Sequence, residues 1–222
     1  MGKAIMSSHD KSAELLESAS ETDVRVALVR HLVAKNSSSR CIYATEAKYG
    51  ASERRADVLT LNNTSHAFEI KSDYDSTARL TEQLTDYLGT FDYVTVVTTP
   101  THIKKVRGIS SSKVGLWLFS SGRINEVRSP RPNRRLSKLH LASSISKDQL
   151  LEAMPHLKRN ASIDEARHEA AQKLNTKALR NLFIEGLIQR FSKTSEQFLR
   201  ETDSQIEMED LSLLRRTSRI SF

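Results

Sequence analysis

Two short apolar segments joined by a polar turn constrain the fold of this chain more than any other feature. Residues 55–61 and 67–71 each have the composition of a β-strand, and residues 62–65 between them, two asparagines followed by Thr-Ser, have that of a turn. The pattern predicts two adjacent strands with Asp57 near the start of the first. Glu69 and Lys71 are two residues apart on the second strand, so their side chains point to the same face.

The charged groups on these two strands predict a ligand. Two carboxylates and an ammonium group brought together on neighbouring strands are costly to bury, because like charges repel and each group loses water. A divalent cation removes this conflict, since hard oxygen ligands suit Mg²⁺ and leave positions open for phosphate oxygens and water.

These residues resemble the signature of the PD-(D/E)XK nuclease superfamily, which is an acid, a spacer and then Glu/Asp-X-Lys. Asp57 takes the first position, and Arg55-Ala56 stands where the signature has proline. Glu69-Ile70-Lys71 supplies the triplet. A helix is predicted to follow, which is the order of elements expected around this signature.

That helix, predicted to begin near Thr77, carries a second resemblance. Gln83 and Tyr87 are similar to the Gln-X-X-X-Tyr element of the RecB-like branch of the superfamily. The longer run from Glu69 to Val97 resembles a family of small, poorly characterised bacterial proteins of the same superfamily. The resemblance covers roughly residues 23–127 and does not extend to the C-terminal part.

The resemblance implies a fold, a cofactor and a mechanism. The fold is α/β, a restriction-endonuclease-like core with a mixed central sheet flanked by helices. Mg²⁺, with Mn²⁺ as a substitute, would be held by Asp57, Glu69 and the Ile70 carbonyl, with Glu46 contributing through water. Lys71 would orient the attacking water or stabilise the developing negative charge.

Several of the supporting residues have more than one interpretation. Glu46, at the end of a strand predicted from Cys41, is either a third acid of the site or an exposed strand-end glutamate. Asp23, in the first turn of a helix predicted to have Thr22 as its N-cap, is interpreted as a capping residue before a metal-adjacent acid.

The helix that follows Lys71 presents a polar row. Arg79, Gln83 and Tyr87 share one face at four-residue spacing. We expect this row to reach substrate or to position Lys71, which makes Gln83 a candidate catalytic residue; the alternative is a solvated face. Asp73 and Asp75, in the preceding turn, are expected to cap this helix, with contact to the metal region as the alternative.

The charge distribution favours a polyanionic partner. The net charge is +7, and residues 104–138 hold ten basic residues against one acid, Glu126, which gives this stretch a local charge of +9. Beside a candidate phosphodiesterase site we expect phosphate contact, although a solubilising loop is the alternative. The expected nucleic-acid contacts are Arg54, Arg55, Arg79, Tyr87, Arg123, Arg131, Arg134 and Arg135.

Four segments are expected along the chain. A polar leader at 1–20 precedes the nuclease-like α/β core at 21–128, and a proline- and arginine-rich basic linker at 129–138 leads to a helical extension at 139–222. In the all-α extension, helices are predicted near residues 147–154, 163–173, 176–191, 194–201 and, more weakly, 205–216. The extension is expected to pack on the core, on a second copy or on a partner protein.

The hydropathy pattern and the cysteine content bear on the compartment and on the kinds of site that the chain can form. The sequence has no apolar run long enough to span a membrane and no signal peptide, so the cytoplasm is the expected compartment and no membrane partner is expected. The single cysteine, Cys41, excludes an internal disulfide and a Cys-rich zinc site. His102 is expected to be a surface residue.

The sequence therefore predicts a metal-dependent nuclease, a phosphodiesterase that acts on DNA in bacterial repair or in defence against foreign or phage DNA. The alternative is a catalytically inactive nucleic-acid-binding module, or a helical protein–protein adaptor, that retains the nuclease fold. Retention of Asp57, Glu69 and Lys71 together favours the enzyme.

Overall fold

The computed structural model describes residues 18–37, 40–50, 54–202 and 205–217. In this part of the chain six strands form one mixed sheet whose spatial order follows the chain order. The strands are β1 (Ile42–Tyr49), β2 (Arg54–Leu61), β3 (Ser65–Lys71), β4 (Tyr93–Thr98), β5 (Gly115–Ser120) and β6 (Arg123–Arg128). The first three strands pair antiparallel, β3, β4 and β5 pair in parallel, and β6 returns antiparallel to β5. The predicted α/β fold with a mixed central sheet is confirmed.

Eight helices accompany the sheet in the described residues. They are α1 (Glu21–Lys35), α2 (Leu80–Thr90), α3 (Ile103–Ile109), α4 (Lys138–Ser143), α5 (Lys147–Ala153), α6 (Ile163–Lys173), α7 (Thr176–Glu201) and α8 (Leu211–Leu214). Helices α2 and α3 are the crossovers that parallel pairing of β3, β4 and β5 requires. The C-terminal part is helical as predicted, but the segments at 176–191 and 194–201 form one continuous helix. The weak helix at 205–216 shortens to α8, and α4 was not predicted.

The start of α1 differs by two residues from the prediction. Ser20, not Thr22, is the N-cap: its hydroxyl accepts from the Asp23 N–H at 3.2 Å, and the Asp23 carboxylate accepts from the Ser20 N–H at 2.9 Å. This reciprocal pair is a capping box. The capping role expected for Asp23 is therefore confirmed, and the cap brings Glu21 into the first turn of the helix.

The two faces of the sheet are covered by different helices. On one face, apolar residues of α1 pack against side chains from the central strands, including Val58, Phe68 and Trp117. On the other face, α2 and the helices α4 to α7 bury Leu59, Val96 and their neighbours in a larger apolar cluster. The helical extension thus shares its core with the sheet, so its apolar stripe is buried within the same chain.

The long helix α7 also covers the edge of the sheet at β1. Leu179 and Phe191 of this helix belong to the larger core, whereas Phe198, two turns beyond Phe191, belongs to the core on the α1 face. At the crossing point the Tyr43 N–H of β1 donates to the Ser195 hydroxyl at 2.9 Å. A free strand edge exposes unpaired backbone groups that can pair with another chain, and α7 prevents this by covering the edge.

The basic linker is tied to the sheet. Asn133 is buried, its side-chain amide donates to the Leu88 and Phe91 carbonyls, and its backbone N–H donates to the Asp92 carbonyl at 2.8 Å. The segment from 129 to 137 therefore lies against the end of α2 and the start of β4.

Of the polar leader predicted at 1–20, residues 1–17 lie outside the described residues. Within the described ranges, no helix combines the length and the apolar character needed to cross a bilayer.

Candidate functional site

The candidate site lies where β2 and β3 separate. Their pairing extends from Leu61↔Ser65 to Val58↔Phe68 and stops before Asp57. On the other side of β2, Glu46 has a φ of 50°, which bends β1 at the residue opposite Asp57. In the gap, the Asp57 carboxylate takes the place of a strand partner and accepts the Ile70 N–H at 2.7 Å.

Glu69 and Lys71 form a buried ion pair beside this gap. The Lys71 ammonium lies 2.6 Å from Glu69 Oε1, and the two residues are 8% and 1% exposed. The Tyr87 hydroxyl, from α2, donates to Glu69 Oε2 at 2.8 Å and lies 3.0 Å from the Arg55 carbonyl oxygen. Both oxygens of Glu69 are therefore engaged, and Lys71 is held in a fixed position.

Tyr87 has a different position from the one expected of a nucleic-acid contact. The structure buries its side chain to 1% exposure, so a substrate cannot reach the ring. Burial, together with the charges of Glu69 and Asp57, raises the pKa of Tyr87 well above its usual value. The hydroxyl stays protonated and acts as the donor that orients Glu69.

Three carboxylates come together at the start of α1. Oxygen atoms of Glu21, Glu46 and Asp57 all lie within 4.8 Å of one another, a spacing that would allow them to share a cation. The Arg25 guanidinium bonds to Glu21 and, at 2.7 Å, to Glu46, while Arg55 lies 3.4 Å from the second Glu46 oxygen. Glu46 is therefore a half-buried residue within β1 beside Asp57, and not an exposed glutamate at the end of a strand.

Glu21 is the residue of this cluster that sequence reasoning missed. Asp23 drew attention as an acid at the start of the same helix, but its carboxylate is used by the capping box. The Glu21 side chain is 45% exposed and lies one turn before Arg25, with which it forms an i,i+4 ion pair. An acid in the first turn, four residues before an arginine, is too common a pattern to identify the residue without the fold.

The electrostatics of Asp57 give a testable consequence. Burial, and then the charge of Glu69, raise the pKa of Asp57 well above its usual value, against the opposing effect of the Ile70 N–H. The folded protein therefore holds this proton to a higher pH than the unfolded chain, whose Asp pKa is about 3.9. As the pH rises through the interval between the two values, this group lowers the free energy of unfolding.

We predict that Asp57→Asn is more stable than the wild type in EDTA at neutral pH and melts at a higher temperature. The amide oxygen can still accept from Ile70, while the buried charge is gone. Thermal melts across pH 4–8 measure this, with the decline above about pH 4 smaller in the variant. A variant that melts well below the wild type at every pH would contradict the assignment.

The polar row on α2 occupies the same neighbourhood. Gln83 precedes Tyr87 by one turn, and its buried Oε1 has no hydrogen-bond partner among the described residues. Arg79 is exposed at the N-terminus of α2. Arg54 is instead engaged by acids of α2, Asp86 and, at 3.7 Å, Glu82.

The turn after β3 is held by its own acids. Asp73 accepts hydrogen bonds from the hydroxyls of Thr99 and Thr101 and from the Ala19 N–H, and these lower the pKa of Asp73 against the opposing effect of partial burial. Asp75 accepts from Ser72 at its backbone and its hydroxyl. Neither acid donates a ligand atom to the carboxylate cluster described above, and neither caps α2.

The expected phosphate-binding arginines are divided between the two ends of the parallel strands. Arg123, which pairs with Ser120 at the end of β5, is at the same end as Lys71. Arg131, Arg134 and Arg135 are exposed, but they belong to the linker that lies beside the start of β4, at the opposite end of the parallel strands. His66 and Lys71 are five residues apart on β3, which corresponds to about 16 Å at roughly 3.3 Å per residue, so these three arginines lie well away from the acids.

Comparison with known proteins identifies a family. A family model described as Bacteriophage P4 protein cII matches residues 15–215. Protein cII of Enterobacteria phage P4 is 32% identical over 216 residues, covering 93% of this chain and 81% of that protein. A solved structure of a protein of unknown function from Silicibacter pomeroyi is 18% identical with a TM-score of 0.39, covering 72% of this chain and 86% of that one. The chain belongs to the bacteriophage P4 protein cII family.

Proposed function

We propose that this protein is a metal-dependent phosphodiesterase that hydrolyses nucleic acid, with DNA as its substrate. One observation carries the proposal: the Glu21, Glu46 and Asp57 carboxylates lie within ligand distance of one another beside the buried Glu69–Lys71 pair. Structural ion pairs do not require such a concentration of acids, because each added carboxylate raises the cost of the others. A cation offsets that cost.

The donor set fits a hard divalent cation. Carboxylate oxygens are the ligands that Mg²⁺ and Mn²⁺ prefer. The Ile70 N–H donates to the Asp57 carboxylate, so the Ile70 peptide lies beside these acids. Asp57, Glu69, Glu46, Glu21 and the Ile70 carbonyl would hold the metal. When bound, it would supply a water of lowered pKa and neutralise charge on the phosphate.

The buried residues around the acids have positioning roles in this proposal. Glu69 holds the Lys71 ammonium at 2.6 Å, and the Tyr87 hydroxyl fixes the other Glu69 oxygen. Lys71 then stabilises negative charge that develops on the phosphate, with little reorganisation because its side chain is already fixed. Gln83, with a buried and unpartnered Oε1, would orient the attacking water or Lys71.

A second candidate is a nucleic-acid-binding module without catalysis. The observation that favours it is Arg25, whose guanidinium bonds to Glu21 and Glu46 and partly neutralises the cluster without a metal. A cation at these acids must compete with Arg25, which lowers its affinity. Failure to bind Mn²⁺ together with retained binding of DNA would establish this second function.

The test of catalysis is a cleavage assay with plasmid, single-stranded circular DNA and RNA, each with Mg²⁺, Mn²⁺ or EDTA. We expect cleavage of DNA with either metal and none with EDTA. Absence of cleavage from every substrate with both metals would contradict the proposal. We further propose that the DNA is phage or other invading DNA and that the protein acts in the cytoplasm of a bacterial cell.

We predict that substituting Arg131, Arg134 and Arg135 together with glutamine flattens the salt dependence of duplex binding. Each lost phosphate contact changes the log–log slope by about 0.9 units, so three lost contacts change it by about 2.7. A duplex rises about 3.4 Å per base pair, so roughly five base pairs span the length of β3, about 16 Å, whose two ends carry the arginines and the acids. Binding isotherms at increasing salt measure the slope.

The matched control replaces three exposed cations of the helical extension, Lys158, Arg159 and Lys177, with glutamine. We expect the control to keep the wild-type slope, and neither triple variant to alter metal binding. An arginine variant with the wild-type affinity and slope would mean that the basic linker is a solubilising segment.

A further inference from the structure

An exposed tyrosine lies three residues beyond Lys71. Tyr74 is 75% exposed, while the other exposed large apolar side chains of the described residues range from 37% to 63%. Tyr74 follows directly on the strand that carries Glu69 and Lys71, so the ring stands at the end of the sheet where the acids meet. An exposed aromatic ring offers a free face on which a planar ligand can stack.

The turn that carries Tyr74 is fixed on both sides of it. Asp75 accepts from the Ser72 N–H at 2.7 Å and from the Ser72 hydroxyl at 2.5 Å, which closes the turn across the tyrosine. Asp73 accepts from the Thr99 and Thr101 hydroxyls at 2.6 Å each, and so binds the turn to the segment after β4. The residues on both sides of Tyr74 are thus held by side-chain hydrogen bonds, and the ring lies on a turn that is tied to the core.

A cavity of about 360 Å³ lies next to this turn. Asp73 forms part of its wall, Phe119 and Pro100 supply apolar surface, and Thr99 and Thr101 supply hydroxyl groups. Apolar surface with a few polar groups is the usual lining of sites that bind small planar ligands. Tyr74 does not line the cavity, but its chain neighbour Asp73 does, so the ring and the cavity are two neighbouring features joined by one turn.

We propose that Tyr74 and this cavity form a subsite for an unpaired base next to the cleaved phosphate; the inference rests on the proposed function. Every base has a π-face on which an aromatic ring can stack, and stacking needs no particular sequence. In a duplex both faces of each base are covered by neighbouring base pairs, so Tyr74 can stack only on a base outside a double helix. The substrate class is therefore single-stranded nucleic acid, or a junction or end that contains unpaired nucleotides.

The test compares wild type with Tyr74→Ala and Tyr74→Phe. Fluorescence anisotropy measures their affinity for a single-stranded DNA, a single-stranded RNA and a DNA duplex, all in EDTA to prevent cleavage. We expect Tyr74→Ala to bind single strands about five- to a hundredfold more weakly and the duplex within about twofold of wild type. Tyr74→Phe should keep the wild-type affinity because it keeps the ring.

Leu139→Ala is the matched control, since Leu139 is 63% exposed on α4 in the helical extension. It should leave all three affinities unchanged. If Tyr74→Ala loses affinity for both single-stranded DNA and single-stranded RNA, the subsite recognises the base alone. If it loses affinity for only one of them, the subsite also distinguishes deoxyribose from ribose. Unchanged binding of both single strands by Tyr74→Ala overturns the proposal, as does an equal loss on the duplex.

These outcomes separate the subsite from the catalytic proposal. If Tyr74→Ala binds single strands more weakly but the wild type cleaves no substrate with either metal, the subsite proposal stands and the nuclease proposal is wrong. Wild-type single-strand binding and cleavage by Tyr74→Ala, in a protein whose cleavage requires metal, would retain the nuclease and remove the subsite.

Discussion

Glu69→Gln is expected to lose metal-dependent cleavage, with a rate lower by about three orders of magnitude. The proposed transition-state stabilisation by the metal and Lys71 is several kcal/mol, and each 1.36 kcal/mol corresponds to about tenfold in rate. Glutamine keeps the shape of the side chain and can still accept from the Tyr87 hydroxyl. It cannot hold the Lys71 ammonium as an ion pair, and it is a poor metal ligand. Single-turnover cleavage with Mg²⁺ measures the loss.

The fold of this variant should be intact. Loss of the charge pair with Lys71 is destabilising, but glutamine keeps an oxygen that can accept from the ammonium, and one of two repelling carboxylates beside Asp57 is removed. Circular dichroism and a thermal melt in EDTA check this. The matched control is Glu126→Gln, an acid on β6 that pairs with His31 and Lys35 on the far part of α1. The control should cleave at the wild-type rate. Wild-type cleavage by Glu69→Gln would exclude Glu69 from the mechanism.

Asp92→Ala is expected to destabilise the whole protein by about 3–5 kcal/mol. Asp92 is 7% exposed and lies between β3, β4 and α7. Its carboxylate accepts from Arg180 Nε at 2.6 Å and from Arg180 Nη2 at 2.9 Å, and also from the Ser65 N–H and hydroxyl at 2.8 and 3.0 Å. Alanine would leave these donors without their acceptor in a buried position. Chemical denaturation monitored by circular dichroism measures the change.

The same pair tests whether the helical extension and the sheet unfold together. Arg180→Ala should cost less than Asp92→Ala, since the Arg180 side chain is 26% exposed and Asp92 keeps its bonds to Ser65. The double variant gives the coupling between the two side chains. A single transition in every variant is expected because sheet and extension share one core. Two separate transitions, with the sheet unaffected by Asp92→Ala, would contradict this account.

Local patterns predicted the elements that carry the chemistry. Two segments of strand-like composition and the polar turn between them predicted β2 and β3, and the two-residue spacing of Glu69 and Lys71 put both side chains on one face. The bond between Asp57 and the Ile70 N–H agrees with the expectation that the two strands would bring these residues together. Strand periodicity is a local property, so it can be read from the sequence alone.

Relations between distant segments could not be predicted in the same way. Glu21 reaches Glu46 and Asp57 only because α1 packs across the sheet with its first turn at the gap. The basic linker follows the acids by many residues and lies at the opposite end of the strands, because parallel strands return the chain to the end where they start. Tyr87 has the helical spacing of a surface row, yet α2 turns this residue towards Glu69.

The most direct test of the central claim, that these acids form a metal centre, is anomalous scattering from crystals grown with Mn²⁺. The account predicts an anomalous peak bonded to the Asp57 carboxylate, with Glu46, Glu21 or Glu69 oxygens around it and Arg25 displaced from Glu46. The same experiment with Asp57→Asn should give no peak there. A wild-type crystal without a peak at Asp57, in which Arg25 still bonds to Glu21 and Glu46, would contradict the account.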